Sequence, residues 1–198
     1  MKPRLSFPLG ASLLAAAVFG AAACGAADFS KTRTTAAPVA PSTTPPAPAE
    51  VTINPSSFDG RLLAAHNGER KRMRIAALAW SPQLAAQASV WARHLASKGL
   101  FEHSTNRGSI GENLWMGTSG YYTPEQMTGS FILERQYFRA GKFPDVSTTG
   151  KWADVGHYTQ LIWPGTQLLG CAKATGAGKD VLVCRYFPAG NVMGQRVP

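Results

Sequence analysis

The residues of this chain able to do chemistry stand in apolar or glycine-rich settings. They are His66-Asn67, His103-Ser104, Gly111-Glu112-Asn113, Glu134 and Gly156-His157-Tyr158. Imidazoles and carboxylates together can ligate a divalent ion, orient a bound water or exchange protons. The sequence holds no HExxH, GxSxG or Walker pattern, so the common zinc-peptidase, serine-hydrolase and nucleotide-binding motifs are missing. A scattered His or Glu carries little meaning by itself. Their significance depends on whether the fold gathers them.

The segments that must position them are mostly helical at first. Phe58 to Arg74 reads as one helix, with Phe58, Leu62, Ala65 and Glu69 on one broad face. Ser81-Pro82 opens a second, because Ser suits the N-cap and Pro the first turn. Leu84, Ala88, Trp91 and Leu95 then recur at helical spacing until Gly99 stops the helix. Thr123-Pro124-Glu125-Gln126 repeats the start pattern with a capping-box Gln, and Met127, Phe131, Leu133, Glu134 and Phe138 follow. The period then changes. Leu168 to Thr175 and Val181 to Phe187 are β-prone runs around Gly176-Ala177-Gly178-Lys179, a hairpin pattern. Cys171 and Cys184 lie symmetrically about that turn and should face each other on adjacent strands, close enough for a disulfide. Helices followed by a hairpin predict a layered α/β domain, not a doubly wound one.

The N-terminus reads as an export signal covering residues 1–27. Lys2 and Arg4 precede an apolar run from Leu9 to Ala23 that is shorter than the roughly 20 residues of a bilayer-spanning helix. Export permits the disulfide. It also leaves Cys24 as the odd one of three cysteines. Ala21-Ala22-Ala23-Cys24-Gly25 resembles a lipobox, in which cleavage after Ala23 makes Cys24 a lipid anchor. The competing outcome is ordinary cleavage near Ala27, which discards Cys24. Residues 28–56, rich in Pro, Thr and Ala, form an expected semi-rigid linker that cannot bury enough apolar surface to order itself. Residues 57–198 form the folded domain.

The 198-residue chain carries 20 basic and 11 acidic residues, a net +9. Such a balance suits anionic surfaces such as envelope polymers or lipid headgroups. Nucleic acid is not expected as a partner, because the one basic cluster, Arg70, Lys71, Arg72 and Arg74, reads as a solvated helix end.

Gly156-His157-Tyr158-Thr159-Gln160-Leu161-Ile162-Trp163 resembles the most diagnostic motif of the CAP superfamily, the cysteine-rich secretory, antigen 5 and pathogenesis-related 1 proteins. Val181 to Val192 resembles its second motif. His66-Asn67 with Arg70, and Gly111-Glu112-Asn113-Leu114, match two shorter ones, all in the family's order over residues 58–196. The resemblance implies an α-β-α sandwich, in a bacterial-type secreted member. It also implies one cleft that holds His103, Glu112, Glu134 and His157, although the usual Trp before Glu134 is replaced by Leu133. His103 and His157 would hold a divalent metal, Zn²⁺ first among candidates, with Glu112 and Glu134 as acidic neighbours. His66 is expected to be structural, and Asn67, Asn113 and Asn191 to satisfy buried backbone groups.

Two functions compete on this reading. In one, a secreted, periplasmic or envelope-attached binding module takes a lipid, sterol or envelope component, with Trp115, Met116, Tyr121 and Tyr122 after Glu112 lining the site or packing the core. In the other, a metal-assisted hydrolase uses the same cleft with Glu112 or Glu134 as catalytic base. Two His ligands are fewer than the usual three of catalytic zinc sites, which favours binding. A purely structural envelope protein is the third reading.

Overall fold

A computed structural model describes residues 51–198. The expected export signal, Cys24 and the expected linker up to residue 50 lie outside the described residues. Within them the elements run α1 (Phe58–Arg72), β1 (Ala79–Trp80), α2 (Pro82–Lys98), β2 (Gly111–Thr118), α3 (Pro124–Leu133), β3 (Gly141–Lys142), α4 (Gly156–Leu161), β4 (Leu168–Gly176), β5 (Lys179–Phe187) and β6 (Arg196–Val197). Short 3₁₀ turns cover Glu134–Tyr137 and Trp152–Val155. The main sheet has the order β1-β4-β5-β2, and β3 pairs with β6 in a separate two-stranded ribbon.

The sheet is the middle of three layers, and strand alternation shows why. On β5, Val181 and Val183 pack with Ala88, Ala92 and Leu95 of α2. Leu182, Cys184 and Tyr186 turn to the opposite face, against Leu62 of α1, Met127 and Phe131 of α3 and Tyr158 and Leu161 of α4. Each face therefore takes every second residue, as a pleated strand covered on both sides must. The α2 layer sits close. A Cβ on Gly170 would come within 2.3 Å of the Ala85 backbone nitrogen, so glycine on β4 is what admits the helix.

Local chemistry fixes the helix ends. Ser57, Ser81 and Thr123 cap α1, α2 and α3 through their hydroxyls. Gly99 closes α2 in the left-handed conformation, φ 65°. The first helix stops at Arg72, two residues short of the sequence reading, because Arg74 adopts φ 57° and Ile75 N–H returns to the Arg70 carbonyl. The third stops at Leu133 and tightens into the 3₁₀ turn that carries Glu134.

Two other expectations need correction. Arg70 is not part of a solvated helix end. It is fully buried, and its guanidinium donates to the carbonyls of Ala76, Leu161, Trp163 and Thr166, so four acceptors compensate for its loss of water. Trp115 and Met116 do not line the cleft. They belong to β2, where Trp115 is buried and meets the Tyr122 ring edge-on at 4.9 Å. Core packing, not the cleft, accounts for them.

The hairpin register pairs Cys171 with Cys184, and the two sulfurs form a disulfide. Its two-residue turn puts Ala177 at φ 50° and Gly178 at φ 71°, the doubly positive pattern that suits strand twist. Buried Asp180 gathers Ser119, Gly120, Lys173 and Thr175 at that end of the sheet.

Candidate functional site

The loop after α2 and the start of β2 bring His103 to Glu112, and the 3₁₀ turn after α3 and the first turn of α4 bring Glu134 to His157. His103 and His157, with Glu112 between them in sequence, line one cleft of about 890 Å³. That size falls within the range of small-molecule sites.

Each imidazole has its own carboxylate. His103 Nδ1 lies 2.9 Å from Glu112 Oε1, and His157 Nδ1 lies 2.5 Å from Glu134 Oε1. Such contacts fix ring orientation and leave Nε2 as the nitrogen open to a ligand. Neither Nε2 has a protein hydrogen-bond partner among the described residues.

Glu112 is buried on β2 and saturated. Ser104 donates to it from both backbone N–H, at 3.0 Å, and hydroxyl, at 2.8 Å. Arg185, facing it across the strand pair, lies 3.3 Å from Oε2, while Arg107 stands 3.6 Å from Oε1. Burial alone would raise this carboxyl, but hydrogen bonds from His103 and Ser104, with the Arg107 charge, hold it below the usual carboxylate range. A carboxylate so held is an anchor for His103 and is poorly suited to taking up a proton.

Glu134 does two jobs at once. Its Oε2 accepts the backbone N–H groups of His157 and Tyr158, the orphan donors at the start of α4, where Val155 offers no side-chain cap. Its Oε1 holds the His157 ring, whose face stacks on Phe131 at 5.2 Å. The next residue, Arg135, reaches Glu69 on α1, which also binds Arg72 and accepts from Tyr158. Burial raises the Glu69 carboxyl, but the bonds from Arg72 and Tyr158 outweigh it and hold it low.

His66 lies outside this cleft, fully buried. Nδ1–H donates to the Leu62 carbonyl at 2.8 Å, so Nε2 accepts from the Tyr186 hydroxyl at 2.9 Å. The Tyr186 oxygen in turn receives Asn113 Nδ2–H, and the same amide donates to the His157 carbonyl. Burial pushes the His66 imidazole down to about 4, keeping it neutral. Asn67 bonds both backbone groups of Leu78, and Asn191 donates to the Gly156 carbonyl.

Among the described residues no three His, Cys, Asp or Glu side chains form a metal-ligand group. His103 and His157 both line the cleft, and a neutral imidazole is a good ligand for a divalent ion. When bound, such an ion supplies Lewis acidity. Sequence reasoning missed Arg107, Arg185, Glu69 and Arg135. Two of them left a trace: Arg185 as a lone charge inside the apolar run Val181 to Phe187, and Glu69 as a carboxylate on the helix face of Phe58, Leu62 and Ala65.

The family model described as "CAP: Cysteine-rich secretory protein family" matches residues 63–186. Pathogenesis-related protein 1C of Nicotiana tabacum is 34% identical over 134 residues, 67% of this chain and 76% of that protein. The human Golgi-associated plant pathogenesis-related protein 1 is 30% identical over 141 residues, 70% of this chain and 87% of that protein. Among solved structures, NaASP2 with Zn²⁺ superposes with a TM-score of 0.59 at 26% identity, covering 69% of this chain and 82% of that one. Motif order, three-layer sandwich and these likenesses agree: the chain belongs to the CAP, or cysteine-rich secretory protein, family.

Proposed function

We propose that this protein is an exported binding module whose cleft holds a divalent metal, Zn²⁺ in the first instance, between His103 and His157, and engages a lipid, sterol or other envelope ligand beside it. The observation that carries the reading is the paired arrangement of the site. Each cleft imidazole spends Nδ1 on a buried or half-buried carboxylate and keeps Nε2 for a ligand. The zinc named in the NaASP2 structure supports the choice of ion. Export, with Cys24 as a lipid anchor and residues 28–56 as a spacer, would hold the module at the cell envelope.

A hydrolase using this cleft is the second reading. It asks Glu112 or Glu134 to act as a base. Both are instead committed: Glu112 to Ser104, Arg185 and His103, Glu134 to the first turn of α4 and His157. Binding is therefore favoured.

Native mass spectrometry of the purified mature protein tests the proposal. One zinc ion per chain together with a co-purified small molecule is the expected result. Turnover of a peptide library by the wild type, abolished in Glu112→Gln, would favour the hydrolase.

A further inference from the structure

Trp152 is the tryptophan that the fold leaves open. Trp80, Trp115 and Trp163 are buried, and Trp91 packs against the core between α2 and the sheet. Trp152 keeps 44% of its surface exposed while lining the cleft. Its ring is nonetheless held in place. Phe143 meets it edge-on at 5.3 Å, and a Cβ on Gly156 would come within 3.2 Å of it, so the indole lies against the residue that precedes His157. A supported aromatic ring left in water inside a concave site is a platform for the apolar face of a ligand.

The polar lining says what else that ligand must be. With the imidazoles neutral, the charged residues among those described as lining the cleft are Arg107 and Glu112, an ion pair at 3.6 Å. Behind the lining, Arg185 and Glu134 are again one of each sign. No charge of either sign is left over for a ligand. Neutral groups, in contrast, have bonding capacity to spare. Thr105 and Asn106 stand exposed in the loop between His103 and Glu112, and their side chains make no hydrogen bond among the described residues. An amide brings donors and an acceptor, and a hydroxyl brings both in one atom. A charge-balanced cleft lined in this way suits a ligand rich in hydroxyl groups.

We propose that the cleft takes a neutral oligosaccharide, with the C–H face of one pyranose ring stacked on Trp152 and hydroxyl groups bonded to Asn106 and Thr105. A pyranose carries both characters in one ring, because its axial C–H bonds make an apolar face and its hydroxyls radiate from the edge. The inference rests on the cleft being a binding site and deepens that reading by naming the ligand's class. No bond is made or broken in it. The stacked face leaves water for the indole, and the edge hydroxyls exchange water for the amide and hydroxyl of the loop.

The test uses the whole mature chain, zinc-loaded, titrated calorimetrically with the neutral sugars chitotetraose and cellotetraose and with two charged ones, tetragalacturonate and fully deacetylated chitotetraose. A neutral sugar should bind at least tenfold more tightly than either charged one, and its affinity should change less than twofold between low and high salt. Trp152→Ala should weaken it at least tenfold and Trp152→Phe less than threefold, with zinc affinity within twofold in both. Asn106→Ala should weaken it several-fold. Binding of neither neutral sugar, or equal binding by wild type and Trp152→Ala, would overturn the proposal. So would tighter, steeply salt-dependent binding of tetragalacturonate, which would make the site one for an anion. Where Trp152→Ala fails to fold, magnetisation transfer from the Trp152 indole to the sugar C–H protons of the wild-type complex decides, and its absence overturns the proposal. The series is repeated after chelation. Absence of zinc binding with the sugar contrasts intact would count against the metal reading alone, and zinc held with no sugar bound would overturn this inference alone.

Discussion

Arg135 Nη1 lies 3.2 Å from Glu69 Oε2, and through this pair the residue beside Glu134 is tied to the first helix. Glu69 is nearly inaccessible, and it also takes Arg72 and the Tyr158 hydroxyl. Neighbours in sequence therefore divide the work: Glu134 grips the start of α4 and the His157 ring, while Arg135 fixes where Glu134 stands. Glu69→Gln removes the charge attraction and keeps the shape. Zinc affinity measured by calorimetry should fall several-fold, short of the roughly 10–100-fold expected for Glu134→Gln, which acts on the ligand directly.

Replacing both His103 and His157 with Ala should abolish zinc binding and leave the chain folded, at a lower melting temperature because the His157 ring stacks on Phe131 of the core. Binding by the wild type should weaken in acid, since protons compete for the imidazole nitrogens. Unchanged affinity in the double variant would place the metal elsewhere.

His66 predicts an acid limb in the stability profile. Its folded value, about 4, lies below the ordinary 6.5, so between these pH values the unfolded chain binds the extra proton. Stability from this group is complete above 6.5 and is lost as pH falls towards 4, by about 3 kcal/mol in all. Glu112 and Glu69, held low, add their losses further into acid. Urea titrations at a series of pH values should show the His66 limb flatten in His66→Gln. Following the His66 ring by NMR in the wild type should show it titrating near 4.

Cys24→Ser tests the anchor. The variant should leave the membrane fraction or fail to be processed. Fractionation and processing like the wild type would assign the chain to ordinary signal cleavage.

The parts of this fold that were legible in the sequence were those governed by neighbours in the chain. Ser81-Pro82, Gly99 and the Thr123/Gln126 capping box act within a turn of helix, and the hairpin's symmetry set the Cys171–Cys184 register. The second strand was illegible because it opens with Gly111, Glu112 and Asn113, polar residues that only Ser104, His157 and Tyr186 from other segments make acceptable inside. Arg70 was misread for the same reason. Its four carbonyl acceptors come from a bend after α1 and from the far end of α4, and nothing in a run of basic residues distinguishes the buried one. Motif likeness picked out His103, Glu112, Glu134 and His157, but not that they divide into two pairs.

The disulfide described above joins strands that a two-residue turn already holds together, 13 residues apart, with both cysteines essentially inaccessible. Replacing both with Ala should therefore cost about 3 kcal/mol in the chain-entropy model without disturbing the cleft. Burial has a second effect, on time. A thiolate must reach one of the sulfurs in line, and no small reductant can do so until the hairpin opens. Exchange is then paced by local opening and not by the surrounding thiol pool, so the state of Cys171 and Cys184 preserves a chemical memory of the compartment in which the chain folded.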